Sequence, residues 1–172
     1  MLPINGFSDA MRAATMEMPP VLTENLVSAA GEVFEMMIGQ TIEPHPEQPH
    51  QPPNNWGTHV AASVSFAGHR SGLVCIHTSL QAANAIAAAM LGMDASEVNG
   101  EMPDAMGEVA NLVGGAFRTK LAAHEPASAI AIPTVTVGSD FSTRIPSDTM
   151  RVFYPFTMGS ESIYFELLLL ER

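Results

Sequence analysis

Apolar residues recur at helical spacing over residues 21–39, "VLTENLVSAAGEVFEMMIG", and predict a first helix that Gly39 closes as a C-terminal cap. The pattern then stops. Residues 43–57, "EPHPEQPHQPPNNWG", are rich in proline, which denies them helix or central strand and predicts an extended loop. Alternation begins in "THVAASVSF", turns at "AGHRSG" and returns through "LVCIHT", the signature of a β-hairpin. Ser79 can cap the Ala-rich run "LQAANAIAAAML", and Gly92 can end it. Pro103 stands where the first turn of a further helix should begin, and that helix should run to about Ala123. Three strand-like runs finish the chain, "AIAIPTVTVG", "MRVFYPF" and "SIYFELLLL", with "YPFTMGSESIYF" reading as a hairpin. The order α-ββ-αα-βββ predicts an α+β fold, its helices packed on one largely antiparallel sheet. Residues 1–18 show no clear period and are expected to form a loose arm, which leaves residues 19–172 as a single domain.

Composition narrows the function classes. The chain of 172 residues is 47% hydrophobic, enough for a sizeable core. Its 18 acidic residues against 7 basic ones give a net charge of −11, and Lys120 is its lone lysine. Non-specific binding to nucleic acid or to an anionic membrane needs a basic surface, so both are excluded as expectations; a partner with a cationic patch is not. The single cysteine, Cys75, rules out an internal disulfide and fits a reducing cytoplasm. No secretory signal pattern and no run of about 18 apolar residues is present, so a cytoplasmic protein is expected. The run "FELLLL", residues 165–170, is apolar at both parities over its last four positions. A strand with one wet face would alternate, so both faces, or one face and an edge, should be covered, and a homodimer through the C-terminal sheet is expected.

The stretch "MPDAMGEVANLVGGAF", residues 102–117, carries the candidate chemistry. With Glu108 set at zero on a helix turning about 100° per residue, Gly115 lies near −20°, Asp104 near −40°, Asn111 near −60° and Arg118 near −80°. Val109, Leu112, Val113, Ala116 and Phe117 fill the other side, so Asp104, Glu108 and Asn111 make a narrow polar stripe. Gly107 and Gly114 fall beside it, where Ala would favour the helix by roughly 1 kcal/mol each. They are expected to leave bare backbone that another surface can approach. A solvated helix face has the same pattern, and on these residues alone both readings stand. There is also an internal echo: "AAGEVFEMMIG", residues 29–39, aligns with "AMGEVANLVGG", residues 105–115, in register at both glycines. Two pseudo-symmetric halves, each a helix followed by strands, would explain it.

The segment "DAMGEVANLVGG" resembles the D-x-x-x-E-x-x-N-x-x-x-G signature of the CheC/CheX family of chemotaxis phosphatases, with Asp104, Glu108, Asn111 and Gly115 in the matching places. "GEVFEMMIG" is similar to the family's first helix, and "SVSFAGHRSGLVCIHTSLQAANAIAAAMLGMD" to its hairpin and following helix. The resemblance implies a CheC-like fold with a pseudo-two-fold repeat. It also implies an enzyme that removes the phosphoryl group from the aspartyl-phosphate of a CheY-like receiver domain. CheC carries the E-x-x-N helix twice and CheX once. Here Glu35 stands where the first copy would need Asn, so the chain resembles CheX, which implies a homodimer and one working site. Glu108 and Asn111 are then the catalytic pair, with Asp104, Gly107, Gly114, Gly115 and Arg118 around them at the partner surface. Phosphoryl transfer rests on positioning and charge stabilisation. The receiver would bring the phosphorylated Asp, a lysine and Mg²⁺, and the chain needs no cofactor of its own. The carboxamide of Asn111 can orient a water, while anionic Glu108 suits the receiver's lysine rather than the phosphate. The alternative is a non-catalytic binding or scaffold module of the same fold in a chemotaxis, flagellar or other two-component complex.

Other chemistry is thinner. No P-loop, dinucleotide fingerprint or G-x-S-x-G elbow is present. Cys75 sits in an apolar strand and reads as a structural thiol. His45 and His50 fall in the Pro-rich loop, while His59, His69 and His77 fall in or near the hairpin, where His59 and His77 can become cross-strand neighbours. None of these has zinc-ligand spacing, so no metal site is expected. Trp56 should anchor the Pro-rich loop, and the 12 methionines should fill core.

Overall fold

The computed structural model describes residues 18–48, 51–123, 126, 128–146 and 148–170; the expected N-terminal arm, apart from Met18, and His50 lie outside the described residues. Helix α1 spans Pro20–Val33 and widens into a π-helical turn, Phe34–Ile38, before Gly39 ends it at φ 71°. The two-residue strand β1 is Glu43–Pro44. The hairpin is β2, His59–Ala67, and β3, Ser71–Ser79. Helix α2, Leu80–Leu91, starts on the Ser79 side chain, which accepts from the Ala82 amide at 3.1 Å, and ends at left-handed Gly92. Helix α3 is Met102–Leu121. The remaining strands are β4, Ala129–Ile130; β5, Thr134–Gly138; β6, Thr149–Met158; and β7, Glu161–Leu170.

The strands form one sheet in the order β1-β6-β7-β3-β2-β4, with β5 also on β2, and every pairing is antiparallel. The expected α+β layering is therefore present. Two local differences follow from proline. The run "AIAIPTVTVG" splits into β4 and β5 around Pro133, and the start of the Pro-rich loop pairs at the sheet edge, where Pro44 needs no amide.

The order is palindromic when β1 is matched with β4/β5, β2 with β6 and β3 with β7. The centre is the antiparallel pair β3–β7, and each half lends its first strand to the other half's hairpin: β1 to β6, and β5 to β2. This arrangement accounts for the echo between α1 and α3. Helix α2 has no counterpart among the described residues.

The helices cover one face. Val60, Ala62, Val64 and Phe66 of β2, Val74 and Ile76 of β3, and Ile163, Phe165, Leu167 and Leu169 of β7 are buried in one cluster with Leu22, Leu26, Phe34, Ile86, Met106, Val109, Val113 and Phe117. Edge-to-face rings tie the layers: Phe34 to Phe165 at 5.9 Å and Phe156 to Phe165 at 5.1 Å. On the second face of β7, Glu166 is buried, Leu168 is half-buried and Leu170 is exposed. The apolar run 165–170 thus serves two faces, but one of its inward positions is a charged group rather than an apolar one.

Helix α3 lies close on β2. A Cβ at Gly114 would overlap Cγ1 of Val64, whereas one at Gly115 would meet nothing within 4 Å. Gly114→Ala should therefore cost about 1–3 kcal/mol through overpacking, more than its gain in helix propensity. Gly115→Ala should be neutral or stabilise by up to ~1 kcal/mol. Denaturant unfolding of the two variants checks this, and equal effects would mean that α3 does not rest on β2 through Gly114.

Candidate functional site

The stripe exists, and it faces solvent. Asp104 and Glu108 are exposed, and Asn111 and Gly115 are half-exposed, on a 20-residue helix whose other face is buried. Asp104 lies in the first turn, where its charge suits the helix dipole. Among the described residues, the side chains of Asp104, Glu108 and Asn111 make no hydrogen bond or ion pair, so their polar groups are uncommitted. Beside them, Pro103, Asp104, Gly107 and Glu108 form one wall of a shallow groove of about 440 Å³. Ile132, Pro133 and Val135 form the other. Ile132 is 90% exposed. Sequence reasoning missed it, because only the break of the strand at Pro133 pushes this side chain outward beside α3.

Two expectations about the surround are corrected. Gly107 and Gly114 are buried, not bare: Gly107 packs under Val135 and Pro133, and Gly114 under Val64. Small residues there let the sheet approach the helix. Of the three glycines, Gly115 alone keeps open space. Arg118 does not extend into the stripe; it is half-buried, and its Nη1 donates to the Ser128 carbonyl oxygen at 3.0 Å, holding the segment that follows α3.

The equivalent positions on α1 differ. Glu32, in the place of Glu108, accepts from Lys120 Nζ at 2.7 Å and from Ser28 Oγ at 3.0 Å. Those two bonds, Lys120's first, hold its carboxyl below the usual range. Glu35, in the place of Asn111, falls within the π-helical turn. The first copy is thus occupied by an internal ion pair and carries a carboxylate where an amide would be needed.

A second polar cluster lies on the other face of the sheet. His59 and His77 do become neighbours, diagonally across β2 and β3, with His59 Nε2 and His77 Nδ1 at 3.0 Å. His77 Nε2 is 2.6 Å from Glu166 Oε2, and Arg151 Nε donates to Glu166 Oε1 at 2.5 Å. Burial alone would raise the Glu166 carboxyl, but His77 and Arg151 hold it below its usual value. Burial, then the charge of His77, lowers His59 to about 4. Burial pushes the Cys75 thiol up. Trp56 packs edge-on against His59 and Tyr164, at 5.2 and 5.7 Å, so it does anchor the Pro-rich loop. Glu166 lies 89 residues from His77, and no sequence spacing could have joined them.

Comparison with known proteins gives the family and the fold. The family described as chemotaxis phosphatase CheX matches residues 60–157. No curated protein matches the sequence. Among solved structures, a CheC-like superfamily protein from Shewanella sp. PV-4 is 20% identical with a TM-score of 0.75, covering 90% of this chain and 100% of that one. The chemotaxis protein CheX from Desulfovibrio desulfuricans is 26% identical with a TM-score of 0.72, covering 86% and 98%. A structure of CheX with CheY, BeF3 and Mg²⁺ from Borrelia burgdorferi is 19% identical with a TM-score of 0.67, covering 87% and 98%. Among the described residues no helix is long and apolar enough to cross a membrane. The span matched by the family holds the central hairpin and the whole of α3, and the chain belongs to the CheX family of chemotaxis phosphatases.

Proposed function

We propose that this chain hydrolyses the aspartyl-phosphate of a CheY-like receiver domain, with the α3 stripe as its one working site. The observation that carries the reading is the contrast between the two copies. Glu108 and Asn111 are uncommitted on a rigid, well-packed helix, whereas Glu32 is held by Lys120. Membership of the CheX family and the likeness to a CheX bound to CheY support it.

An acyl phosphate is reactive and needs an in-line water more than it needs a new nucleophile. The receiver supplies Mg²⁺ and a lysine to neutralise the phosphoryl oxygens. Asn111 accepts a hydrogen bond from the attacking water with its carboxamide oxygen and fixes its approach. The water's oxygen bonds to phosphorus as the bond from phosphorus to the aspartyl oxygen breaks, giving inorganic phosphate and a free carboxylate. Glu108 pairs with the receiver's lysine and sets the docking register. Gly115 leaves room for the partner's backbone, and the exposed Ile132 supplies apolar contact at the edge of the groove. A homodimer that covers Leu73, Leu168 and Leu170, at the open end of the second sheet face, completes the reading.

Three measurements follow. Asn111→Ala should slow phosphate release by on the order of 10²-fold while binding the phosphorylated receiver nearly as well as wild type. Glu108→Ala should weaken binding and activity together, and Glu32→Ala should leave both near wild type. These are read by phosphate release and receiver binding, with circular dichroism as a check on folding. Wild-type rates in Asn111→Ala would remove the water-positioning role and leave a scaffold. Ile132→Asp should weaken receiver binding without lowering the rate at saturation; unchanged binding would place the docking edge elsewhere. Light scattering at micromolar concentration should give a dimer, and Leu170→Asp should shift it toward monomer; a wild-type monomer would refute the assembly.

A further inference from the structure

The cluster on the second sheet face is not used by the proposed phosphatase site, which lies on α3. Three of its side chains offer metal donors. Cys75 and His77 stand two residues apart on β3 and so share a face, and Glu166 is the direct cross-strand partner of Cys75 on β7. Their ligand atoms, the Cys75 sulfur, a His77 ring nitrogen and a Glu166 oxygen, all lie within 4.8 Å of one another. Each residue is more than nine-tenths buried: Cys75 is 4% exposed, His77 5% and Glu166 3%. Donors around a tetrahedral ion with bonds of 2.0–2.3 Å stand about 3.3–3.8 Å apart, so small side-chain rotations suffice to seat one.

We propose that Cys75 Sγ, His77 Nε2 and Glu166 Oε2 form a three-ligand site for a zinc-type transition-metal ion. Four observations support it. The donor set is thiolate, imidazole and carboxylate, which suits zinc or cobalt and not the oxygen-seeking Mg²⁺ or Ca²⁺. Among the described residues the Cys75 thiol has no strong partner: its one hydrogen bond there is a 3.9 Å contact to the carbonyl of the next residue, Ile76. An ion pair of His77 with Glu166 needs no sulfur beside it. The outer groups are already in place, for His77 Nδ1 meets His59 Nε2 at 3.0 Å and Arg151 holds Glu166 Oε1 at 2.5 Å, leaving Oε2 to turn to the ion. Finally, His77, His59 and Arg151 line a cavity of about 320 Å³ that opens between Trp56, Phe141 and Phe153. It brings solvent to the His77 and Arg151 side of the cluster.

The proton balance is simple. The ion takes the place of the proton shared by His77 Nε2 and Glu166 Oε2. That proton leaves the His77–Glu166 ion pair for solvent, and His77 keeps the proton on Nδ1, which donates to His59 Nε2. The Cys75 thiol proton leaves for solvent. Two positive charges meet two negative ligands, and Arg151 remains paired with Glu166.

The test uses the full chain, stripped with a chelator and titrated with Co²⁺ alone. One ion per chain should bind, with the visible bands of a four-coordinate site and a sulfur-to-cobalt charge-transfer band in the near ultraviolet. Cys75→Ser should abolish the charge-transfer band and weaken binding. His59→Phe should keep the band and weaken binding by about 10–100-fold, as loss of an outer partner does. X-ray absorption of the cobalt-loaded wild type, which does not depend on any variant folding, should show one sulfur neighbour. No bound ion, no sulfur neighbour, or binding unchanged in a folded Cys75→Ser variant would overturn the site.

Discussion

The close seat of α3 on β2 is the constraint on which the rest of the molecule depends. Gly114 lets the helix backbone come down onto Val64, and one turn further on Phe117 packs its ring against Phe66 at 5.7 Å. Interiors packed to this density have discrete arrangements and do not slide. The helix is thereby fixed in rotation as well as position, and the side chains on its outer face inherit that fixity. The water-orienting role proposed for Asn111 would draw on such a platform, because small misplacements are costly. The glycines that drew attention in the sequence are thus part of the site only at one remove: two of the three serve the sheet beneath, and the stiffness they permit serves the surface above.

Much of the fold was legible because its signals were local. Helix limits followed from Ser79, Gly39, Gly92 and Pro103, and the hairpins from β-rich runs flanking short polar turns. The stripe of Asp104, Glu108 and Asn111 followed from helical periodicity alone. What could not be read was what depends on tertiary register. Gly114 looked like an exposed gap, since an angle on a helical wheel says nothing about how near the sheet will lie. Arg118 looked like part of the partner surface because Ser128 has no sequence signal as an acceptor. Ile132 looked like strand interior until Pro133 broke the pairing. The joining of Cys75, His77, Arg151 and Glu166 requires the order of β3, β7 and β6 in the sheet, which no local pattern encodes.

The two faces of the sheet divide different physical tasks. The helix-covered face is largely apolar, with Thr78 and Tyr154 as its polar members, and carries the cohesion of the fold. The second face places a carboxylate, a guanidinium and two imidazoles under a lid of Pro-rich loop and aromatic rings. A buried cluster of this kind adds little net stability, because desolvation offsets attraction, but removal of one member strands the others. It therefore restricts which substitutions the second face tolerates far more than it strengthens the fold.

The palindromic sheet has a consequence for how the molecule can come apart. Because β1 closes the edge of β6 and β5 closes the edge of β2, each half completes its sheet only with a strand borrowed from the other. A chain divided between α2 and α3 would give two pieces, each with unpaired strand edges and an uncovered apolar face, so neither would be expected to stand alone in water. The strand exchange also makes the defining contacts distant along the chain, as in the pairing of β1 with β6 and the central pairing of β3 with β7, and folds with such long loops to close are slow to form. If the echo between α1 and α3 reflects an ancestral duplication, then the half that lost its amide was not free to be discarded. Its helix and hairpin remain as part of the scaffold that carries α3.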